Sequence, residues 1–258
     1  MAVKYAVGLP NVGQFGNVEV LADLAVEAER YGWDGVHLWD HLLFDEPGWP
    51  VVSPVVAASA IAARTSRVRI VLTVTLPRRQ VQDVAQDAAG IDALSGRRLT
   101  LLPVLGSVDR EYTEFGLDPD LRARGRALDE RLARLTQLWA EWQVPTIPIW
   151  CGGRWPGTPG LRRAARYQGA MPVFEETRGG VVPLPSFEAA AGFLTDLAPD
   201  GLDLALEGAT QGPADAGRVS DYARAGMTWW VEALGWWRGD LEAARTRIAA
   251  GPLVPVGG

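Results

Sequence analysis

Short apolar runs rich in Val, Ile, Leu and Trp alternate along this chain with longer amphipathic or alanine-rich segments, and this repeat constrains the fold more than any single motif. The apolar runs read as strands at Tyr5 to Leu9, Gly35 to His41, Arg69 to Thr75, Leu99 to Leu105, Pro148 to Cys151, Ala170 to Phe174, Leu202 to Leu206 and Thr228 to Val231. They are nearly continuous rather than alternating, the pattern of strands buried on both faces. Between them, helical periodicity places Leu21, Leu24, Ala25 and Ala28 on one face after an N-cap at Asn17, with Gly32 just past the helix end. Ser53 or Pro54 starts a helix through Ala63, and Val81, Val84, Ala85, Ala88 and Ile91 mark another, stopped by Ser95 and Gly96. Leu128, Leu132, Leu135 and Trp139 form the stripe of a longer helix, and further helices read over Leu161 to Tyr167, Phe187 to Leu197, Asp215 to Ala225 and Leu241 to Ala249. About eight strand-helix units without a composition break predict a single-domain α/β protein, a (β/α)8 TIM barrel over residues 1–250, with 251–258 as a flexible C-terminal tail. A doubly wound open sheet is the other arrangement of such units, but Asn11-Val12-Gly13-Gln14-Phe15-Gly16 lacks the glycine spacing its first turn needs.

Hydrophobic residues make up 48% and charged residues 22% of the 258, enough for a sizeable core. The formal net charge of -6 argues against a nucleic-acid binder, which needs a basic face, so the expected partner is a small-molecule substrate. Cys151 is the one cysteine, which excludes an intrachain disulfide and a cysteine-rich metal site. No apolar run is long enough to span a bilayer and the N-terminus shows no signal-peptide pattern, so the expectation is a cytoplasmic protein with no membrane contact. Tryptophan outnumbers phenylalanine, 11 to 6. Trp39, Trp150, Trp229 and Trp230 fall at strand ends, where indoles either pack the core or flank a planar ligand.

In a barrel of this kind chemistry sits on the loops after the C-terminal strand ends. Those positions carry Asp40 and His41 after strand two, Arg78 and Arg79 after strand three, Arg154 after strand five, Glu175 and Glu176 after strand six, Glu207 after strand seven and Glu232 after strand eight. Histidine as a residue type titrates near neutrality, which makes His41 a candidate for proton transfer, although a histidine at a strand end also serves as a cap on a loop carbonyl. The stretch Cys151-Gly152-Gly153-Arg154-Trp155-Pro156-Gly157-Thr158-Pro159 reads as a loop whose glycines let the backbone approach a ligand, with Thr158 as N-cap of the next helix. A helix start plus Arg154 is suited to an anion such as a phosphate, and a tight turn needing glycine is the plainer alternative. Glu207-Gly208-Ala209-Thr210-Gln211-Gly212 is a weaker phosphate loop because Glu207 repels an anion.

The segments Ala22 to Glu29 leading to Gly32-Trp33-Asp34-Gly35, Trp39-Asp40-His41, Ala62 to Arg69, Asp92 to Leu101, Pro148 to Pro156 and Tyr222 to Trp230, in this order and spacing, resemble the bacterial luciferase-like superfamily of flavin- and deazaflavin-dependent oxidoreductases and monooxygenases. The resemblance implies a (β/α)8 barrel with FMN or a deazaflavin coenzyme (F420) across its mouth. It implies His41 as acid, base or substrate-holding group, assisted by Asp40, and Gly152, Gly153, Arg154, Trp155, Thr158 and Arg78 around the cofactor. It also implies a homodimer, for which the alanine-rich helices after strands two and three would supply the face.

Two departures stand out. Strand four reads Leu101-Leu102-Pro103-Val104-Leu105-Gly106 where the family has a glycine-rich strand, and Val81-Gln82-Asp83 follows Arg78-Arg79 in place of an aromatic. If Leu102 and Pro103 fill the place of the ring, the barrel would be a cofactor-independent enzyme or ligand-binding relative. A scaffold retained only for protein interactions is a third possibility.

Overall fold

The first strand, β1 (Lys4–Leu9), pairs in parallel with β2 (Gly35–Leu38) on one side and with β8 (Trp229–Ala233) on the other. From β2 the sheet continues through β3 (Arg69–Thr75) to β4 (Leu99–Val104), and from β8 through β7 (Asp203–Gly208) and β6 (Gly169–Phe174) to β5 (Trp150–Trp155). These eight strands form one curved parallel sheet in the computed structural model, which describes residues 2–44, 46–177, 180–198 and 201–253. Its ends meet at Leu101 and Ile149, where the Leu101 N–H donates to the Pro148 carbonyl at 2.9 Å. That seam is short for a chemical reason. The next ladder donor on β4 would be Pro103, which has no N–H. The result is a (β/α)8 barrel that is nearly closed, as the strand-helix alternation predicts.

Helices α1 (Val18–Arg30), α2 (Pro54–Arg64) and α3 (Val81–Leu94) cover β1 to β4, and α4 (Arg110–Thr113) and α5 (Leu121–Glu141) span the connection from β4 to β5. The second half is covered by α6 (Pro159–Ala164), α7 (Leu184–Thr195), α8 (Ala216–Arg224) and α9 (Leu241–Ala249). Asn17 caps α1 through its side-chain oxygen, which accepts from the N–H groups of Glu19 and Val20, and Ser53 caps α2. Inside the barrel Ala6, Val71, Leu102, Trp150, Met171, Ala205, Trp229 and Val231 pack into one buried layer. The outward residues of the same strands, among them Val7, Val36, Leu72 and Leu206, pack under the helices. Alternation therefore divides β4: Leu102 points into the lumen, and Pro103 belongs to the opposite face. Pro103 does not occupy the lumen, contrary to the expectation that it would fill the place of a ring there.

Two boundaries differ from the sequence reading in ways that matter for the site. Strand β2 stops at Leu38, so Trp39, Asp40 and His41 lie just beyond its end. Strand β5 extends through Trp155, with Gly152, Gly153 and Arg154 paired to Met171, Pro172 and Val173 of β6, so these residues belong to the strand and not to a loop. Glycines hide a strand from propensity, but here they serve packing: a Cβ on Gly153 would lie 2.9 Å from the Cα of Gly160 on α6. At the C-terminal end the expected loose tail does not begin at 251, because Leu253 is buried in the core; residues 254–258 lie outside the described set. Among the described residues no helix is long and apolar enough to cross a membrane.

Cys151 sits inside this packing at 1% exposure, and burial pushes its thiol up to about 12. The native protein should therefore resist alkylation by iodoacetamide at neutral pH, whereas in denaturant one thiol per chain should label; rapid native labelling would contradict the placement of β5.

Candidate active site

At the end of β2 the chain turns across the top of β3, and one buried asparagine fixes that turn. The Asn11 side chain donates to the carbonyls of His41 and Val52 at 2.8 Å each and accepts from the His41 N–H at 2.9 Å. Asp40 and His41 are thereby held next to each other, but their side chains part. The Asp40 carboxylate accepts from the Thr75 N–H at 2.7 Å and from Arg79 at 2.6 Å. The His41 ring meets Glu111 of α4, Nδ1 to Oε1 at 3.1 Å.

Glu111 is wholly buried and fully used. Its Oε1 also accepts from the N–H groups of Leu42 and Leu43 at 2.6 and 3.2 Å, and its Oε2 accepts from Arg78 at 2.5 Å. Arg78 closes the set by donating to the Asp40 carbonyl at 2.8 Å. Its side chain, 3% exposed, forms a bracket between Glu111 and Asp40 in place of the open cofactor contact expected of Arg78. Asp40 likewise does not touch the imidazole, and the assisting acid at His41 is Glu111. Burial raises both carboxyl groups, but guanidinium charge and hydrogen bonds outweigh it. Asp40 is lowered by Arg79, Arg78 and Thr75, and Glu111 by His41, Arg78 and the Leu43 N–H, so both lie below the ordinary carboxylate range.

With a carboxylate at Nδ1, the hydrogen is assigned to that nitrogen and Nε2 is left with no protein partner among the described residues. The ring stands edge-on to Trp39 (5.7 Å) and Phe44 (5.1 Å). Trp39 stacks on Trp237 at 5.4 Å, and Trp236 packs edge-on against Trp237, Phe44 and Trp49. These indoles build an aromatic wall on the β2 and β8 side of the mouth. Of the strand-end tryptophans, Trp39 alone joins it; Trp150 and Trp229 fill the lumen and Trp230 packs under the helices.

Below Trp39 lies a polar group that the sequence reading passed over. His37 points into the lumen, its Nε2 2.8 Å from the Thr73 hydroxyl and its Nδ1 3.6 Å from Glu207 Oε1. Glu207 accepts from Trp39 Nε1 at 3.3 Å. Residues 35, 37, 39 and 41 share one face by strand alternation, so the signal that His37 faces inward was present in the spacing. No periodic signal marks Glu111, which lies on a one-turn helix within a polar connection.

On the opposite side the mouth is low and open. Val173 of β6 is 54% exposed, Gly152 leaves room for Val104, and the Arg154 side chain stands exposed at the rim, 3.9 Å from Glu175. Thr158 takes the N-cap position of α6 but makes no capping bond, and Trp155 leans on Phe193 at 6.0 Å. The alternative loop after β7 is closed on itself, since Thr210 donates through its N–H and hydroxyl to the buried Glu232, which also holds Arg238. The residues therefore fit a planar ring with a phosphate tail: an apolar floor at Val104, Gly152 and Val173, an aromatic wall, and at the rim the exposed Arg154, paired only at 3.9 Å with an equally exposed Glu175. Among the described residues no cluster of His, Cys, Asp or Glu suits a metal ion.

Fold and site together define a (β/α)8 barrel in which a histidine bracketed by a buried carboxylate and a cluster of aromatic side chains lie beyond the C-terminal strand ends. The family model described as luciferase-like monooxygenase matches residues 8–174, and the chain belongs to that family. It is 36% identical over 132 residues to an F420-dependent glucose-6-phosphate dehydrogenase of Kineococcus radiotolerans, a match covering 48% of this chain and 38% of that relative. Among solved structures it resembles a coenzyme F420-dependent tetrahydromethanopterin reductase from Methanopyrus kandleri, with TM-score 0.73 and 14% identity over 97% of this chain and 99% of that one. An F420-dependent secondary alcohol dehydrogenase in complex with an F420-acetone adduct gives TM-score 0.73 and 16% identity, covering 90% and 93% of the two chains.

Because Asp40 and Glu111 are ionised below the usual range only when folded, their contribution to stability is complete above the unfolded carboxylate range and is lost as pH falls through it toward their lowered native values. Acid unfolding followed by circular dichroism should be shallower in Glu111→Gln, which should also lose roughly 3 kcal/mol at neutral pH by removing one of the two buried carboxylates that pair with Arg78. An unchanged acid profile would refute the assignment.

Proposed function

We propose that this protein is an oxidoreductase that uses a deazaflavin of the F420 type, or FMN, on a small organic substrate at the C-terminal mouth of the barrel, with His41 as the proton-transferring residue. The observation that carries the reading is the His41–Glu111–Arg78 bracket: a buried carboxylate fixes one ring nitrogen and leaves the other without a protein partner beside a planar aromatic wall. That arrangement holds a general acid or base in one orientation, which proton transfer at a defined atom requires. Its link to a flavin-type group comes from family membership and from relatives whose names specify F420.

Arg154 would take the phosphate and Val104, Gly152 and Val173 the apolar face of the ring, with Trp39 and Trp237 closing the far side. When bound, such a group supplies the hydride acceptor or donor, or the site of oxygen activation. The chain supplies the rest. His41 takes or returns a proton at Nε2, Glu111 balances the charge this creates on the ring, and Arg78 keeps Glu111 ionised while doing so. The tryptophan wall excludes water from one side of the site and restricts the substrate to the gap between it and the floor.

Titrating the purified protein with FMN and with F420, followed by absorbance and fluorescence, tests the reading. Binding of at least one at micromolar concentration is expected, with Arg154→Ala weakening it about tenfold. His41→Asn should leave that binding intact and reduce turnover by about 100-fold or more with any substrate found. No binding of either cofactor at high micromolar concentration would overturn the proposal.

A further inference from the structure

Besides the exposed Glu175 and Glu176 after β6, four acids stand at or near the barrel mouth, and three of them are saturated. Asp40 is held by Arg78 and Arg79, Glu111 by Arg78, and Glu232 by Arg238 and Arg247. Glu207 differs. Among the described residues its one ion-pair neighbour is His37, and no arginine or lysine reaches it. Its Oε1 is fixed by Trp39 Nε1, while Oε2 accepts no hydrogen bond from the described residues. The side chain is 28% exposed, so that free oxygen opens toward the mouth.

The surroundings keep this carboxylate in place. Gly8 on β1 sits directly against it, and a Cβ there would lie 2.8 Å from Oε1. Behind it His37 is 4% exposed, and its Nδ1 has no hydrogen-bond partner, which is unusual for a buried ring nitrogen. The ring is held from the other side by Thr73. The carboxylate lies 3.6 Å from that nitrogen, so the Nδ1 side of His37 faces Glu207.

We infer that Glu207 is the docking point for a protonated amine, and that substrates of this enzyme are small organic cations whose ammonium group sits on Oε2 while the carbon skeleton lies along the Trp39 side of the mouth. The inference rests on the barrel mouth being the substrate site, as proposed above. A partly buried carboxylate with no arginine or lysine beside it favours a ligand that brings its own positive charge, and a charge-assisted hydrogen bond is roughly twice as strong as one to a neutral donor. His37 acts as a positioning residue from behind and does not meet the ligand.

The test uses the protein without cofactor and two probes of the same shape, phenethylamine and 2-phenylethanol, titrated by isothermal calorimetry at neutral pH. The amine should bind at least about tenfold more tightly than the alcohol, and Glu207→Gln should remove that preference. Gly8→Ala keeps the charge but pushes the carboxylate from its seat, and should weaken the amine by a similar factor with an unaltered circular dichroism spectrum. Equal affinity for amine and alcohol, an unchanged amine affinity in Glu207→Gln, or no amine binding at millimolar concentration would each overturn the inference. Cofactor titration is read separately: amine selectivity without binding of FMN or F420 would retain the Glu207 site and remove the cofactor reading, and the converse would remove Glu207 alone.

Discussion

The carboxylate of Glu111 organises the upper half of this barrel. A buried charge is costly unless it is paired and hydrogen-bonded, and Glu111 meets that demand by drawing together groups from two other places in the chain. It takes the backbone N–H groups of Leu42 and Leu43, the ring of His41 and the guanidinium of Arg78. Each partner is then constrained in turn. The loop after β2 cannot move without unmaking two backbone bonds, and Arg78 cannot turn outward without abandoning both Glu111 and Asp40. The one-turn helix that carries Glu111 is itself tied down, since Tyr112 donates to the Leu105 carbonyl at 2.6 Å and Arg124 lies 3.8 Å over the Tyr112 ring. The position of His41 thus follows from a charge that must be neutralised, and does not depend on loop packing alone.

The barrel was legible because strands buried on both faces leave continuous apolar runs and helices over them leave stripes of period 3.6; β3 and α9 have the very bounds their patterns predict. Boundaries failed where residues served packing against the pattern. Gly152 and Gly153 read as loop, yet glycine is what lets α6 approach β5 at Gly160. The site was legible only in its first half. His41 could be placed at the mouth because it follows a strand, but which acid it meets is decided by a contact 70 residues away in sequence, and no local pattern encodes that. Asp40, its neighbour in the chain, was the natural guess, and it faces Thr75 and Arg79 instead.

The departure at strand four also acquires a different meaning. As sequence, Leu102-Pro103 suggested a filled lumen. As structure, Leu102 completes the buried layer with Val71 and Trp150, and Pro103 acts on the other face by ending the ladder between β4 and β5. The side of the mouth above that shortened seam is the one where Val173 is exposed and Gly152 carries no side chain. A residue that looked like an obstruction instead leaves the seam less tightly bonded where a flat ligand would need room.

The two histidines of the chain lie four residues apart on the same face, and their acids make them opposites. At His41 the acid is buried behind the ring and shared with an arginine, so its charge is already balanced and the free nitrogen is left for chemistry. At His37 the ring is behind and the acid in front, with no arginine to share it, so the charge is left for a ligand. Which partner is buried is what separates the proton-transfer role proposed for His41 from the recognition role proposed for Glu207. With Trp39 between the two, in contact with both His41 and Glu207, a substrate anchored at one would be held within a fixed span of the other.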